Sequence, residues 1–393
     1  MKRFAPLVLV AALGGCGGGA HVRLTVSPRD GLLDAPLSVH ASGLHGNATL
    51  AVSATDADGR EWLAREPYKP GNAGLLLASM LPEHRRVERD RAYFLAPPRE
   101  VVHFTLSKSR HTVASTDVVR RLFDPHVKER RETLARQGFV GRFCVGPRRR
   151  GPGILMLGGS EGGLPGCRVI ASHGYPTLAL AYFGEPGLPH ELVRIPLEYF
   201  ARALRWLARQ PGLNPKKVVV MGTSRGGEAA LLIASTYPKL VHGAIGLVPS
   251  AYVNGGFSRS EGVAVDAPAW TLHGKAVPYL QQKSVAPAKA AIPVERISGP
   301  VFVVGAGDDQ LWPSAIYVDD IASRMHDHGR HDVVALTYPH AGHAGFGLPT
   351  LPTPTVVQSP YGAVYLGGTP AADARARADS SPKLLRFLAK LSS

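Results

Sequence analysis

Three residues have the types and the order that acyl chemistry needs: Ser224, then Asp309, then His343. A serine hydroxyl is a poor nucleophile at neutral pH. It needs a base within hydrogen-bond reach, and that base needs an orienting acid. Ser224 stands in Gly222-Thr223-Ser224-Arg225-Gly226. The β-branched run before it, Val218 to Val220, reads as a short buried strand, and Glu228 to Ala234 reads as a helix of good helix formers. The turn between them must be sharp. Glycine at 222 and 226 lets the two backbones approach, which leaves the Ser224 hydroxyl exposed above a helix start with free N–H groups. This is the G-x-S-x-G nucleophile elbow. The bland alternative is a Gly-rich strand-to-helix loop with an incidental serine.

The acid and the base each follow an apolar run. "PVFVVGAGDDQLWPS" ends a strand with Asp308 and Asp309, and "VVALTYPHAGHAGF" ends another with His340 and His343. Sites form at the carboxyl ends of parallel strands. Asp309 is favoured because it stands four residues before Pro313, with Asp308 as the alternative; capping the loop by accepting backbone N–H groups is the competing role for either, and one of the pair is expected to have it. His343 is favoured over His340 because Ala341-Gly342 gives it a flexible approach, whereas His340 directly follows Pro339. The tetrahedral intermediate also needs oriented N–H donors. Arg225, directly after the serine, supplies one, and Ser160 in "ILMLGGSEGGLP" is the candidate for the second. A phosphate-binding loop is the rival for that glycine-rich segment, but its G-K-[ST] ending is absent and Glu161 repels phosphate.

Two textures position these residues. From His21 to about Leu106 the apolar residues alternate, as in Val22-Leu24-Val26 and Leu37-Val39, with turn signals such as Asp56-Ala57-Asp58-Gly59 between runs. That predicts a small antiparallel β-sandwich over residues 21–122. The charged stretch Asp117 to Gln137 predicts a helical connector, assigned to 123–137. From 138 to 393, apolar runs alternate with helices, including Leu197–Arg209, Ser314–His328 and a last helix Pro382–Leu391. This is an α/β pattern with a mostly parallel sheet covered on both faces. Val253 to Ser298 interrupts it, as an insertion over the site or a long surface loop.

The 393 residues carry 45 Lys and Arg against 30 Asp and Glu, a net charge of +15. Such a charge favours anionic surfaces or substrates. The chain has no nucleic-acid motif, and its densest basic run, Arg148 to Arg150, lies between Gly-Pro pairs as a solvated turn. No cysteine spacing suits zinc, and His326, His328 and His331 around Asp327 fit no ligand spacing, so neither metal nor cofactor is expected. Residues 1–20 read as a leader: Lys2-Arg3, a short apolar run Phe4 to Leu13, then Leu13-Gly14-Gly15-Cys16. The last four resemble a bacterial lipobox, with Cys16 lipidated and Gly17 to Gly19 a tether; an ordinary secretory signal is the alternative. Both readings place the mature chain outside the cytoplasm, membrane-anchored in the first. There a Cys144–Cys167 disulfide is permitted, and two buried free thiols are the alternative.

Together, "GPGILMLGGSEGGLPGCRVIASHGYPTLALAYFG", "VVVMGTSRGGEAALLIAS", "GDDQLWPS", "TYPHAGH" and "GGTPAADARARADS" resemble the acyl-CoA thioesterase and bile acid-CoA:amino acid N-acyltransferase family. The N-terminal "LTVSPRDGLLDAPLSVHASGL" resembles that family's β-sandwich. The resemblance implies a sandwich followed by an α/β-hydrolase domain, a Ser224–Asp309–His343 triad, and a small-molecule acyl thioester or ester as substrate. In this family the acyltransferases look to use cysteine at the elbow and the thioesterases serine, so Ser224 favours hydrolysis. Acyl transfer, an extracytoplasmic carboxylesterase and a non-catalytic surface module are the competing readings.

Overall fold

The computed structural model describes residues 21–69, 73–82, 94–149, 151–281, 287–359 and 362–392. Cys16 and the leader lie outside the described residues.

The alternating N-terminal segment folds into two packed β layers. Arg23–Ser27 and Ser38–Ser42 form one antiparallel pair, with Val26 opposite Val39. The facing sheet has six strands in the order Asp30–Leu32, His111–Arg121, Arg99–Lys108, Thr49–Thr55, Glu61–Pro67 and Leu81–Pro82. Its pairs are antiparallel except the first, Asp30–Leu32 with His111–Arg121. Leu24, Val26 and Val39 meet Val52, Phe104 and Leu106 in a single apolar core. These are the inward positions of the two-residue period, which is why the pattern was readable.

The helical connector is not there. His111–Arg121 is the long partner of Arg99–Lys108, Lys128–Glu132 is a strand of the next sheet, and only Leu134–Gln137 makes a helical turn. Charge concealed the strand period. Val118 and Arg120 both point inward at 0–1 % exposure, and Nη1 and Nη2 of Arg120 donate to the carbonyls of Leu33 and Ala35. Gly138, in the left-handed region at φ 73°, ends the single turn.

The remaining chain builds one eight-stranded sheet: β1 Lys128–Glu132, β2 Val140–Val145, β3 Gly153–Leu157, β4 Thr177–Ala181, β5 Val218–Thr223, β6 Ala244–Leu247, β7 Val301–Ala306 and β8 Val333–Tyr338. Their spatial order is β1-β2-β4-β3-β5-β6-β7-β8. β3 to β8 are parallel, and β2 and β1 complete the sheet antiparallel. Five helices flank it: α1 Arg168–Ser172, α2 Leu197–Ala208, α3 Arg225–Thr236, α4 Ser314–Asp327 and α5 Pro370–Ser392. One sheet face packs on α2, α3 and α4. The other packs on α1 and α5 through Ile170, Ala376, Leu384, Phe387 and Leu388. This is the α/β-hydrolase fold, preceded by a small β-sandwich.

Three other expectations meet the structure here. α5 begins at Pro370, not at Pro382, which lies inside it. Proline commonly opens a helix, so it suggested a start. Its ring faces solvent, and burial of Leu384, Phe387 and Leu388 offsets the hydrogen bond that Pro382 cannot donate. The segment from Val253 to Ser298 carries the hairpin Gly255–Ser258 with Val263–Pro268, then Trp270–Leu272, whose Trp270 is 0 % exposed. Cys144 on β2 and Cys167 before α1 are joined by a disulfide with Cα atoms 5.8 Å apart.

Buried carboxyls predict a pH effect on stability. Glu100, 3 % exposed, is pushed up to about 7 by burial, against the pull of Arg120. Its native pKa exceeds the unfolded value, so the native state holds a proton that the unfolded chain has lost. Stability from this group is therefore present at low pH and is lost as pH rises through 4.5 toward 7. Glu191, held at about 2 by Ser260 and other donors, is charged in both states above about pH 5.5 and contributes no slope there. Glu100→Gln is expected to gain stability relative to the parent by about 2 kcal/mol between pH 5.5 and 7.5. Urea midpoints at the two pH values check this; a difference that does not move with pH contradicts it.

Candidate active site

The elbow is as sharp as its glycines require. Ser224, between β5 and α3, sits at φ 57° and ψ −123°, a backbone conformation that L side chains rarely adopt. It is held there by its own N–H, which donates to the Leu247 carbonyl at 2.8 Å, and by its carbonyl, which accepts from Glu228 N–H at 3.0 Å. A Cβ on Gly222 would lie 2.0 Å from the Gly226 carbonyl oxygen, and one on Gly226 would lie 2.3 Å from that of Gly158. Neither position has room for a side chain. The second of these contacts presses the start of α3 against the loop after β3.

That loop carries Ser160. A Cβ on Gly159 would be 3.5 Å from the Ser224 Cβ, so the loop lies directly against the serine. The buried Tyr182 hydroxyl donates to the Gly158 carbonyl at 2.7 Å, and Gly159 N–H donates to Glu161 Oε1 at 2.8 Å. Among the described residues nothing accepts from Ser160 N–H. Arg225 N–H, at the first position of α3, has no intrahelical acceptor by geometry. The two residues named from the sequence as donors thus lie next to the serine, Arg225 directly after it and Ser160 directly after Gly159.

Asp309 and His343 come together. His343 Nδ1 is 2.8 Å from Asp309 Oδ2, with side-chain exposures of 9 % and 0 %. With Asp309 ionised, Nδ1 carries the proton and Nε2 the lone pair. His343 Nε2 is buried and makes no hydrogen bond. Asp309 also does the capping: its Oδ1 accepts from Leu311 and Trp312 N–H, and its Oδ2 accepts from the Ser314 hydroxyl at 2.6 Å. The capping expected of one of the pair falls to Asp309, whose carboxylate has lone pairs enough to hold His343 as well. Asp308 and His340 form a separate, solvent-exposed pair at 3.9 Å. Trp312 joins the two halves of the site. Its ring packs edge-on against His343, centroids 5.8 Å apart, and its Nε1 donates to the carbonyl of Val248, the neighbour of Leu247.

Two buried clusters support the site and were not read from the sequence. Glu228, 0 % exposed, accepts from Arg225 Nη1 at 2.6 Å, Trp270 Nε1 at 3.0 Å and Asn254 Nδ2 at 2.9 Å. Burial pushes its carboxyl up, against the pull of Arg225 and the Trp270 and Asn254 donors. Arg225 in turn donates to the Gly255 carbonyl at 2.7 Å, so this cluster ties α3 to the inserted segment. On α5, Asp373 accepts Gly342 N–H at 2.8 Å, next to His343, while Arg377 donates to the carbonyls of Ala344, Leu348 and Leu351 beyond it. The signal for each was local: Arg225 and Glu228 are three apart, Asp373 and Arg377 four apart, and each pair lies among alanines and glycines.

Asp373→Ala frees the loop just before His343. It is expected to lower kcat about tenfold with KM little changed, which steady-state kinetics read directly. A parent-like kcat would contradict the role of this contact.

The strand order, the elbow and the Asp–His pair on the loops after β7 and β8 define an α/β-hydrolase-fold enzyme. A family model described as BAAT / Acyl-CoA thioester hydrolase C terminal matches residues 195–392. Acyl-coenzyme A thioesterase 2, mitochondrial, of Homo sapiens is 30% identical over 417 residues, covering 99% of this chain and 85% of that protein. Acyl-coenzyme A amino acid N-acyltransferase 1 of Mus musculus is 28% identical, covering 82% and 86%. Peroxisomal succinyl-coenzyme A thioesterase of Mus musculus is 27% identical, covering 85% and 84%. The chain belongs to the BAAT / acyl-CoA thioester hydrolase family. It is an enzyme of the acyl (thio)ester hydrolase class.

Proposed function

We propose that Ser224, Asp309 and His343 act as nucleophile, orienting acid and general base in hydrolysis of an acyl-CoA-like thioester or an ester through an acyl-enzyme. The observation that carries this reading is the state of His343: Nδ1 tied to Asp309, Nε2 buried and unbonded. Ser224 Oγ attacks the acyl carbon as Nε2 takes its proton. The carbonyl oxygen becomes an oxyanion and accepts from Arg225 and Ser160 N–H. Collapse breaks the bond to the leaving thiol or alcohol, which takes the proton from His343. Water, deprotonated by the same nitrogen, then releases the acid and restores the serine. A fluorophosphonate should label Ser224 in the parent and leave Ser224→Ala unlabelled; a folded parent that resists labelling overturns the reading.

A second reading concerns the acyl carrier and the compartment. We propose export and anchoring through Cys16, with an ester outside the cytoplasm as the substrate. Two observations support it: the lipobox-like sequence and the Cys144–Cys167 disulfide, since disulfides persist in oxidising compartments. No described helix is long and apolar enough to cross a membrane. The names of the relatives favour coenzyme A as carrier instead. Comparing kcat/KM for acyl-CoA thioesters with that for p-nitrophenyl esters decides between the carriers. Intact-mass analysis of the membrane fraction should show a chain starting at lipidated Cys16, and Cys16→Ser should be released or unprocessed. A cytoplasmic chain retaining Met1 contradicts the anchor.

A further inference from the structure

A cavity of about 200 Å³ lies on the α1/α5 side of the sheet, just behind the edge that carries the site. We propose that it holds the acyl chain of the substrate and selects chains of medium length. This rests on the hydrolase reading above and extends it to the acyl group.

The strands themselves mark the cavity. Ile154, Val219 and Ile245 face α1 and α5 at 0–1 % exposure. Two residues further along each strand, Met156, Met221 and Leu247 face the same way at 7–8 %. Met156 and Met221 are paired in register, so the opening is a continuous row at the carboxyl end of the sheet. Ile170 on α1, Phe346 after β8 and Leu384 on α5 close it, each 8–9 % exposed.

Each wall is continuous with one part of the site. Met156 stands beside Leu157, from which the Ser160 loop departs. Leu247 lines the cavity with its side chain, while its carbonyl accepts Ser224 N–H. Phe346 is three residues after His343. A chain esterified to Ser224 would reach this apolar room past Leu247, the residue that touches both.

The chemistry of the lining selects an alkyl chain. Apolar side chains make up its middle, and the polar groups, the Asp34–His173 pair with Ser380 and Ser381, are already partnered or hydroxylic. The apolar middle favours hydrocarbon over water. Methionine walls adapt to a flexible chain. A cavity of ~150 Å³ accommodates the six carbons of benzene, so this one suits about eight. Asp34 belongs to the β-sandwich, so a longer chain would meet the Asp34–His173 pair where the two domains meet.

The test uses the full chain and saturated acyl-CoA thioesters and p-nitrophenyl esters from acetyl to palmitoyl. In the parent, kcat/KM should rise to a maximum near octanoyl and fall at palmitoyl. Leu384→Phe, or Ile170→Phe from the opposite wall, should lower the octanoyl-to-acetyl ratio at least tenfold. Leu384→Ala should move the maximum to longer chains. Folded variants that keep the parent's ratios in both directions overturn the assignment. Calorimetry of octanoic acid on the Ser224→Ala chain reads the cavity without turnover. One molecule bound, and weakened at least tenfold by Leu384→Phe, is the expected result; no binding overturns it. Absence of fluorophosphonate labelling would instead sink the hydrolase reading, so the two failures are distinguishable.

Discussion

Ser224→Ala is expected to lower kcat by about 10⁴- to 10⁶-fold, with KM and thermal midpoint close to those of the parent. In the proposed mechanism the hydroxyl is the group that forms the bond to the acyl carbon. The fold does not depend on that hydroxyl. Ser224 is held by its backbone, through Leu247 and Glu228, and alanine keeps those bonds at the same φ. His343→Ala should fall nearly as far, because a serine without a base is not a nucleophile. The double variant should be no worse than either single one, since the residues act as a unit. Steady-state and single-turnover kinetics on variants of unchanged circular dichroism check this. Residual activity within tenfold of the parent would place the chemistry elsewhere.

Glu228→Ala is expected to cost about 3–5 kcal/mol of stability, the scale for removing one partner of a buried ion pair. It strands the Arg225 guanidinium, 7 % exposed, without its counter-charge, leaves Trp270 Nε1 without an acceptor, and leaves Asn254 Nδ2 with only the Tyr252 carbonyl. Replacing Arg225 and Glu228 together by methionine and leucine should cost much less, because no unpaired charge remains. In the proposed mechanism Arg225 also supplies an oxyanion donor from its backbone, so the loosened helix start should reduce kcat as well as stability. Urea unfolding of the single and double variants gives the coupling energy. A single-variant loss under 1 kcal/mol would mean that the pair is not closed in solution.

The residues legible in the sequence were those whose meaning is local. A strand, five residues with glycine at both ends and a helix define the elbow around Ser224 without any other part of the chain. The candidate acid and base were read from chain order and strand ends, and the structure brings Asp309 and His343 within 2.8 Å. What stayed hidden depends on partners far away in sequence. Arg120 reads as surface until Leu33 and Ala35, more than eighty residues earlier, surround it. Glu132, 0 % exposed, carries the same disguise on β1. Trp270 looks like part of an irregular segment until Glu228 accepts its N–H. Buried charge is the common cause. It breaks the apolar period that marks strands and helices, and only the tertiary partner restores the sense of it.

The Cys144–Cys167 disulfide acts on the chain that is not folded as much as on the one that is. It closes a loop across 23 positions that contains all of β3 and the Ser160 turn. A denatured chain so tied is a lasso whose neck keeps the end of β2 near the start of α1, and it has fewer conformations to lose on refolding. By the entropy of a loop that size, the tie raises the free energy of the denatured ensemble by about 3 kcal/mol. The segment that would receive the oxyanion is thus kept near its native neighbours even while the rest of the sheet is undone.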